Sequence, residues 1–175
     1  MNHRTVKNAV LALFLAGTVI LLISCGSKNV SITPDGFLMN INDLIVEDFG
    51  IINVTSALDA TRTVTEISDR LYLTMAADPV TGSLQQAELA LYTDNGLEKL
   101  DYSSFEYFFL ILLKAYDPNI SVTNINSIHD ALHIGSYDIG TEGQIGYGSN
   151  IFYYQVNNEM ALFTAQYFEP TKPLE

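Results

Sequence analysis

The sequence predicts an α+β domain in which one antiparallel sheet of about five strands carries two main helices on one face. Apolar residues recur at helical spacing in two segments, near residues 33–50 and 103–116. Short runs with strand character lie on both sides of the second segment. Neighbouring runs are separated by only a few turn-forming residues. Such short connections favour antiparallel hairpins. A helix followed by a hairpin occurs twice, which allows a weak internal repeat.

The first helix is expected to begin after Thr33, a good N-cap residue. Pro34 suits the first turn, and the negative charge of Asp35 is favourable near the helix N-terminus. One apolar stripe with spacing i, i+4, i+7 and i+8 consists of Phe37, Ile41, Leu44 and Ile45. We expect this helix to end at Asp48 to Gly50.

Three runs with strand character follow the first helix. Thr61 to Ile67 is short and rich in Thr and Val, and Arg70 to Ala76 alternates apolar and polar residues. After the turn at Asp78 to Gly82, Leu84 to Tyr92 alternates again. These runs predict an antiparallel hairpin that closes at Asp94-Asn95-Gly96, whose residues tolerate positive φ.

The second helix is predicted over Phe105 to Tyr116, with Ser103 or Ser104 as its cap. It is apolar almost all round, which is typical of a helix in the core. A short further helix is expected at Ser127 to His133, ending before Gly135.

The C-terminal third returns to strand character. The runs are Gln144 to Tyr147, Asn150 to Val156 and Glu159 to Phe168. Asn157-Asn158 between the last two runs suits a type I′ hairpin turn.

The N-terminus has the order of a secretory signal. Arg4 and Lys7 precede fifteen uncharged, mostly apolar residues from Ala9 to Ile23. A membrane-spanning helix needs about 20 apolar residues, so an uncleaved anchor helix is the weaker alternative.

The stretch Leu22-Ile23-Ser24-Cys25 resembles the lipobox of bacterial lipoproteins, and all four positions fit that pattern. The resemblance implies that Cys25 receives a diacylglyceryl thioether (a palmitate-type anchor) and becomes the first mature residue. It therefore implies a signal peptide at 1–24, a lipidated tether at 25–32, a single α+β domain at 33–170 and a C-terminal tail at 171–175. The mature part resembles only small uncharacterised bacterial lipoproteins, which implies no activity.

The lipid anchor would place the domain in the cell envelope. We expect the protein on the outer membrane or on the outer face of the cytoplasmic membrane, depending on the organism. Gly26 and Ser27 follow Cys25, and neither is the Asp that would resemble a signal for retention in the inner membrane. Two acyl chains hold a protein on a membrane firmly, whereas one chain binds only marginally.

Composition narrows the classes of function. Loss of Arg4 and Lys7 with the signal peptide would leave six basic residues against 20 acidic ones. Such a surface repels phosphate backbones, so we expect no nucleic-acid partner. Cys25 is the only cysteine, and its lipidation would exclude disulfides, cysteine catalysis and thiolate metal sites.

The sharpest chemical pattern is His129-Asp130-Ala131-Leu132-His133. Two imidazoles at i and i+4 of a helix can bind one zinc ion, with Asp130 where the metalloprotease motif has Glu. The helix is short, and a third ligand would have to be an acid such as Asp138 or Glu142. We therefore expect no metal and no other cofactor, with His129 and His133 as weak candidates.

Other patterns are weaker. Tyr147, Tyr153 and Tyr154 offer large contact areas with polar tips, and Tyr153 and Tyr154 must point to opposite faces of a strand. One of that pair, with Tyr147, is a candidate binding surface on an exposed sheet face. The glycine series Gly140, Gly143, Gly146 and Gly148 matches no nucleotide fingerprint. Acid pairs such as Glu47-Asp48, or Glu98 with Asp101, arise by chance among 20 acids.

The leading hypothesis is a lipid-anchored envelope protein with a non-catalytic, acidic binding or scaffolding domain. Its partner would be an envelope protein, a peptide or a sugar. One alternative is a small metal-assisted hydrolase that uses His129 and His133. Another is an envelope inhibitor or chaperone-like binder that uses a Tyr-rich sheet face.

Overall fold

The computed structural model describes residues 32–45, 50–93 and 102–167. Its helices are α1 (Pro34–Leu44), α2 (Tyr102–Tyr116) and α3 (Val122–Leu132). Its strands are β1 (Ser56–Ala57), β2 (Arg62–Ser68), β3 (Leu71–Ala77), β4 (Leu84–Tyr92), β5 (Glu142–Tyr147), β6 (Asn150–Val156) and β7 (Met160–Tyr167). The α+β class expected from the sequence is confirmed.

All seven strands form one antiparallel sheet in the order β1-β2-β3-β4-β7-β6-β5. Strands β2 to β4 make one meander, and β5 to β7 make another. The meanders meet through β4 and β7, where Leu89 lies opposite Phe163. Every connection within a meander is a short hairpin, as the spacing of the turn residues predicts.

Ring contacts and close packing assign all three helices to the same face of the sheet. Phe37 of α1 lies edge-on to Tyr167, and Phe109 of α2 lies edge-on to Phe163 with ring centroids 5.0 Å apart. Leu132 of α3 lies against Gly143 of β5. These sheet residues point to one side because alternate residues of neighbouring strands share a face. We call this side the helix face.

The hydrophobic core fills the space between the helix face and the helices. Leu73, Leu89 and Phe163 are fully buried in successive strands, and Phe105, Phe108 and Phe109 of α2 are fully buried above them. α2 packs on both α1 and β4, which explains its apolar character almost all round. Only Leu110 among its large aliphatic side chains is exposed.

The helix boundaries differ from the sequence predictions. α1 ends at Leu44 rather than at Asp48 to Gly50, because Ile45 adopts an extended conformation. The side chain of Asn42 donates to the Ile52 carbonyl and accepts from its N–H, both at 2.8 Å. These bonds hold the returning chain beside the end of α1.

The other two helices begin earlier than predicted. α2 starts at Tyr102, so Ser103 and Ser104 lie inside its first turn and do not cap it. α3 starts at Val122 rather than Ser127, because the side chain of Ser121 accepts from the Asn124 N–H and caps the helix. The start of α3 was not predicted because the polar and β-branched residues after the cap have low helix propensity.

The described residues form seven strands, compared with the expected number of about five. Three helices lie on the helix face: the two main ones and the short one predicted at Ser127 to His133. β1 has only two residues and was missed because such a short pairing leaves no period in the sequence. β5 begins at Glu142 rather than at Gln144. This earlier start was not predicted because a glycine, here Gly143, weakens the pattern of a strand.

Several predicted features lie outside the described residues. They are the signal peptide at 1–24, Cys25, the turn at Asp94-Asn95-Gly96, the tail at 171–175 and the acid pairs Glu47-Asp48 and Glu98 with Asp101. None of the three helices in the described segments has the length and apolar character needed to cross a membrane.

Candidate functional site

The sheet has a second face, opposite the helix face, which we call the open face. No helix of the described segments packs on it. Its residues alternate with the buried ones along each strand, so Tyr72 and Thr74 of β3 and Glu88 of β4 point to this side. These three side chains are half-buried by their neighbours in the sheet. The open face is therefore the side of the fold that packing leaves available.

Four adjacent strands form a concave hollow on the open face, with a volume of about 610 Å³. One row of paired residues crosses it: Glu88 opposite Thr164, Thr164 opposite Tyr153, and Tyr153 opposite Gln144. We call this depression the hollow, and the side chains that line it from the open face are those of Gln86, Glu88, Glu142, Gln144, Tyr153, Gln155, Leu162, Thr164 and Gln166.

Amide and carboxylate groups dominate the chemistry of the hollow. The Gln86 amide donates to Glu88 Oε1 at 2.5 Å, which orients one carboxylate within the sheet. Among the residues that the structure describes, Glu88 and Glu142 are the charged side chains that line it, and none of these lining residues is Lys or Arg. The hollow thus offers many hydrogen-bond donors and acceptors together with a negative potential.

Tyr153 and Tyr154 point to opposite faces, as their adjacency predicts. Tyr154 is 1% exposed, lies in the core, and donates from its hydroxyl to the Ser136 carbonyl at 3.0 Å. Burial raises the pKa of Tyr154, and the nearby Glu106 carboxyl adds to that rise. Tyr153 points to the open face and lines the hollow.

Tyr147 does not lie with Tyr153. It is on the helix face, where its ring stacks on Phe152 and its hydroxyl donates to Asp117 Oδ2 at 2.9 Å. Burial raises the pKa of Tyr147, and the hydrogen bond to Asp117 acts in the same direction. Of the three candidate tyrosines, only Tyr153 therefore presents its ring to the open face, and the structure does not bring Tyr147 and Tyr153 together.

His129 and His133 do not form the predicted pair on one helix. α3 ends at Leu132, and His133 is its C-cap in the left-handed conformation, with φ 58° and ψ 33°. The i, i+4 relation of helical side chains is therefore lost. His129 Nδ1 lies 3.5 Å from Asp130 Oδ1, and its ring lies edge-on to Phe109. Among the described residues no three His, Cys, Asp or Glu side chains come close enough to hold a metal ion.

The glycine series has structural roles. A Cβ on Gly143 would lie 2.6 Å from Leu132 Cα, so only glycine lets α3 approach β5 this closely. Gly148 has a φ of 60° in the turn between β5 and β6. The acid named as a possible metal ligand, Glu142, lies on the open face at the rim of the hollow, whereas His129 lies on α3 over the other face.

Most residues of the hollow were not predicted from the sequence. Gln86, Glu88, Gln166 and Thr164 lie in the two central strands, β4 and β7, and the sequence was interpreted there only for its apolar alternation. A signal was present: Gln and Glu occupy alternate positions of a central strand, where β-branched and aromatic residues are favoured. The convergence of four strands on one depression depends on the β4–β7 pairing, which a single sequence does not reveal.

A second polar cluster was also missed, at the N-terminal end of α2. Tyr137 stacks on Tyr102 with ring centroids 3.5 Å apart and donates its hydroxyl to Glu106 Oε1 at 3.0 Å. Burial is the main cause of the raised pKa of Tyr137. These contacts tie the loop after α3 to α2, so the cluster serves the packing of the helix layer.

Comparisons of the chain with protein-family models, with curated proteins and with solved structures found no match.

Proposed function

We propose that this chain is a lipid-anchored cell-envelope protein whose acidic domain binds an envelope component in the hollow, without catalysing a reaction. The observation that carries the proposal is the polar, concave surface around Tyr153 on a sheet face that no described helix covers. Ligand sites are concave, with a few convergent polar groups and aromatic surface. The hollow has the concave shape and the aromatic ring of such a site, and polar side chains dominate its lining.

The anchor part of the proposal rests on the four lipobox residues that end at Cys25. The first described residue, Ile32, accepts a hydrogen bond from the Leu84 N–H at 2.7 Å. The chain therefore enters the domain beside the start of β4, two residues before Gln86 of the hollow.

Labelling with palmitate tests the anchor. The wild-type chain is expected to incorporate labelled palmitate in a bacterial host, and Cys25→Ser is expected to abolish the label. Equal label in both chains would contradict the anchor. Because Cys25 is the only cysteine, no second thiol complicates the result.

The hydrolase alternative has less support. It needs two imidazoles on one face of a helix, but His133 ends α3 in the left-handed conformation. Zinc retained at one equivalent through dialysis, and lost in His129→Ala, would favour the hydrolase over a binding domain.

Site-specific crosslinking in cells tests the binding surface. A photoreactive amino acid in place of Tyr153 is expected to form a defined adduct with an envelope component. The same amino acid in place of Met39, which is 67% exposed on α1, is the matched control and is expected to form none. No adduct at position 153, or the same adducts at both positions, would contradict the proposal.

The identity of the adduct separates the two kinds of binder. A glycan adduct favours recognition of an envelope polysaccharide. A single protein adduct favours the inhibitor or chaperone-like alternative on the same surface. Both outcomes keep the open face as the functional face of the domain.

A further inference from the structure

We infer that the ligand of the hollow is a neutral glycan that lies across the strands of the open face. This inference rests on the proposed function and adds the chemical class of the ligand. The groups of the hollow, their charge and the positions of the tyrosines carry it.

The hydrogen-bonding groups of the hollow suit hydroxyl groups. Gln86, Gln144, Gln155 and Gln166 each supply both an acceptor oxygen and two donor hydrogens. A sugar hydroxyl is also both donor and acceptor, so every group of such a ligand finds a partner in several orientations. Glu88 and Thr164 add acceptors at the centre of the hollow.

The charge of the hollow selects against anions. Two carboxylates, from Glu88 and Glu142, line it, and none of its described lining residues is basic. A phosphate, sulfate or uronate group would lose hydration there without gaining a cation from these residues. The described lining therefore favours a neutral ligand over phosphorylated lipid headgroups and anionic polysaccharides.

Aromatic rings stand at two places on the open face. Tyr153 lies on β6, and Tyr72 and Tyr92 form an edge-on pair on β3 and β4 with ring centroids 5.7 Å apart. Across the strands, Tyr72 and Tyr153 are separated by three strand spacings, roughly 14 Å. They are also offset by two residues along the strands, because Tyr72 is in one row with Ala90, Leu162 and Gln155. A tyrosine ring offers an apolar surface with a polar tip, which suits the apolar face of a sugar ring. Two such platforms, with Leu162, Glu88 and Thr164 between them, fit a chain of several sugar units.

The same face suits an extended peptide less well. The backbone groups of the central strands β4 and β7 are already paired within the sheet, so a peptide on this face gains no main-chain hydrogen bonds. A peptide strand would bind instead at a sheet edge. A basic peptide attracted by Glu88 and Glu142 is the remaining competitor, and the experiment includes it.

Affinity electrophoresis tests the ligand class. The full chain is purified in a detergent that has no sugar headgroup. It is then run through native gels, each of which contains one neutral polysaccharide: a glucan, a mannan or a soluble chitin derivative without charged groups. At least one neutral polysaccharide is expected to retard the chain, whereas alginate is expected not to. Tyr153→Ala and Gln166→Ala are each expected to weaken retardation about tenfold, the effect of losing a central contact.

Two variants of the helix layer control for unrelated effects. Met39→Ala and Asn126→Ala remove an exposed apolar side chain and an exposed amide outside the open face, and both are expected to keep wild-type retardation. Thermal unfolding of each variant checks that it is folded.

Three outcomes would overturn the inference. The first is that no neutral polysaccharide retards the chain, and the second is that Tyr153→Ala is retarded as strongly as wild type. The third is that polylysine binds the chain more tightly than every glycan does and that Glu88→Gln loses this polylysine binding. A protein adduct at position 153 in cells, together with no retardation, would reject the glycan and keep the proposed binding face. Absence of both would reject the proposed function as well.

Discussion

The two faces of the sheet use the same strands for different purposes, and Tyr153 and Tyr154 show the difference most clearly. They are neighbours on β6, yet Tyr154 is 1% exposed beneath α2, and Tyr153 lines the hollow. On the helix face, packing determines which residues are acceptable. On the open face of the central strands, packing does not require Gln86, Glu88 or Gln166. Residues that folding does not need are the ones available for binding.

The largest difference is expected between alanine substitutions of these two tyrosines. Tyr154→Ala leaves a cavity beneath α2 and removes the hydrogen bond to the Ser136 carbonyl, so it should lower the free energy of unfolding by about 3–5 kcal/mol. Tyr153→Ala leaves no core cavity and should cost about 1 kcal/mol. Urea unfolding of both variants measures the difference. Equal losses would mean that the two faces are not distinct in the way described.

Close packing on the helix face gives the next effect, at Gly143. A Cβ there would meet the backbone of Leu132, so Gly143→Ala should push α3 away from β5 and cost about 1–3 kcal/mol. Gly146→Ala is the matched control on the same strand, because the nearest atom to its new Cβ is 3.9 Å away. Thermal unfolding of the two variants compares them. If Gly143→Ala were as stable as Gly146→Ala, α3 would not pack closely against β5 at this position.

Alkaline pH should destabilise the fold through a buried tyrosine of the helix face. Burial raises the pKa of Tyr154 above its ordinary value of 10.0. An unfolded chain ionises this tyrosine near pH 10 while the folded chain keeps it neutral. Stability that is complete below pH 10 is therefore lost progressively above it.

Tyr154→Phe measures the contribution of that group. The variant should be less stable than wild type at pH 8, because it lacks the hydrogen bond to the Ser136 carbonyl, but its stability should fall less steeply above pH 10. Urea midpoints at intervals from pH 8 to pH 11 give both slopes. Parallel slopes would contradict a role for the buried Tyr154 hydroxyl.

The smallest effect on stability is expected for Glu88→Gln on the open face. The change keeps the size of the side chain and removes one of the two carboxylates of the hollow. The free energy of unfolding should therefore change by about 0.5 kcal/mol or less. Asp130→Asn, on a residue whose side chain is 84% exposed on α3, is the matched control. A loss above 2 kcal/mol for Glu88→Gln alone would mean that the Gln86–Glu88 hydrogen bond serves folding rather than the hollow.

The helix face could be predicted from sequence to a large extent. Its apolar residues repeat at the spacing of a strand or a helix, which is why β2 to β4, β6, β7 and the core character of α2 were foreseen. The period also required Tyr153 and Tyr154 to point to opposite faces. The helix–hairpin repeat stays a prediction, since the two meanders agree in architecture without an alignment of their residues.

The hollow could not be predicted in the same way. Its residues come from β4, β7, β6 and β5, and the sheet order sets β4 beside β7 although about 70 residues separate them in the chain. Capping geometry was decisive elsewhere, because the Ser121 cap starts α3 at Val122 rather than at Ser127 and the left-handed His133 ends the helix at Leu132. Such choices depend on tertiary packing rather than on local propensity.

Titration of the full chain with a neutral oligosaccharide, followed by NMR of the side-chain amide groups, tests the central claim most directly. We expect the resonances of four side chains to shift together and to saturate: Gln86, Gln144, Gln155 and Gln166. Those of Asn42 and Asn126, on the helix layer, should stay in place. Shifts confined to the asparagines, or no shift of the four glutamines with any neutral oligosaccharide, would contradict the assignment of the open face as a glycan-binding surface.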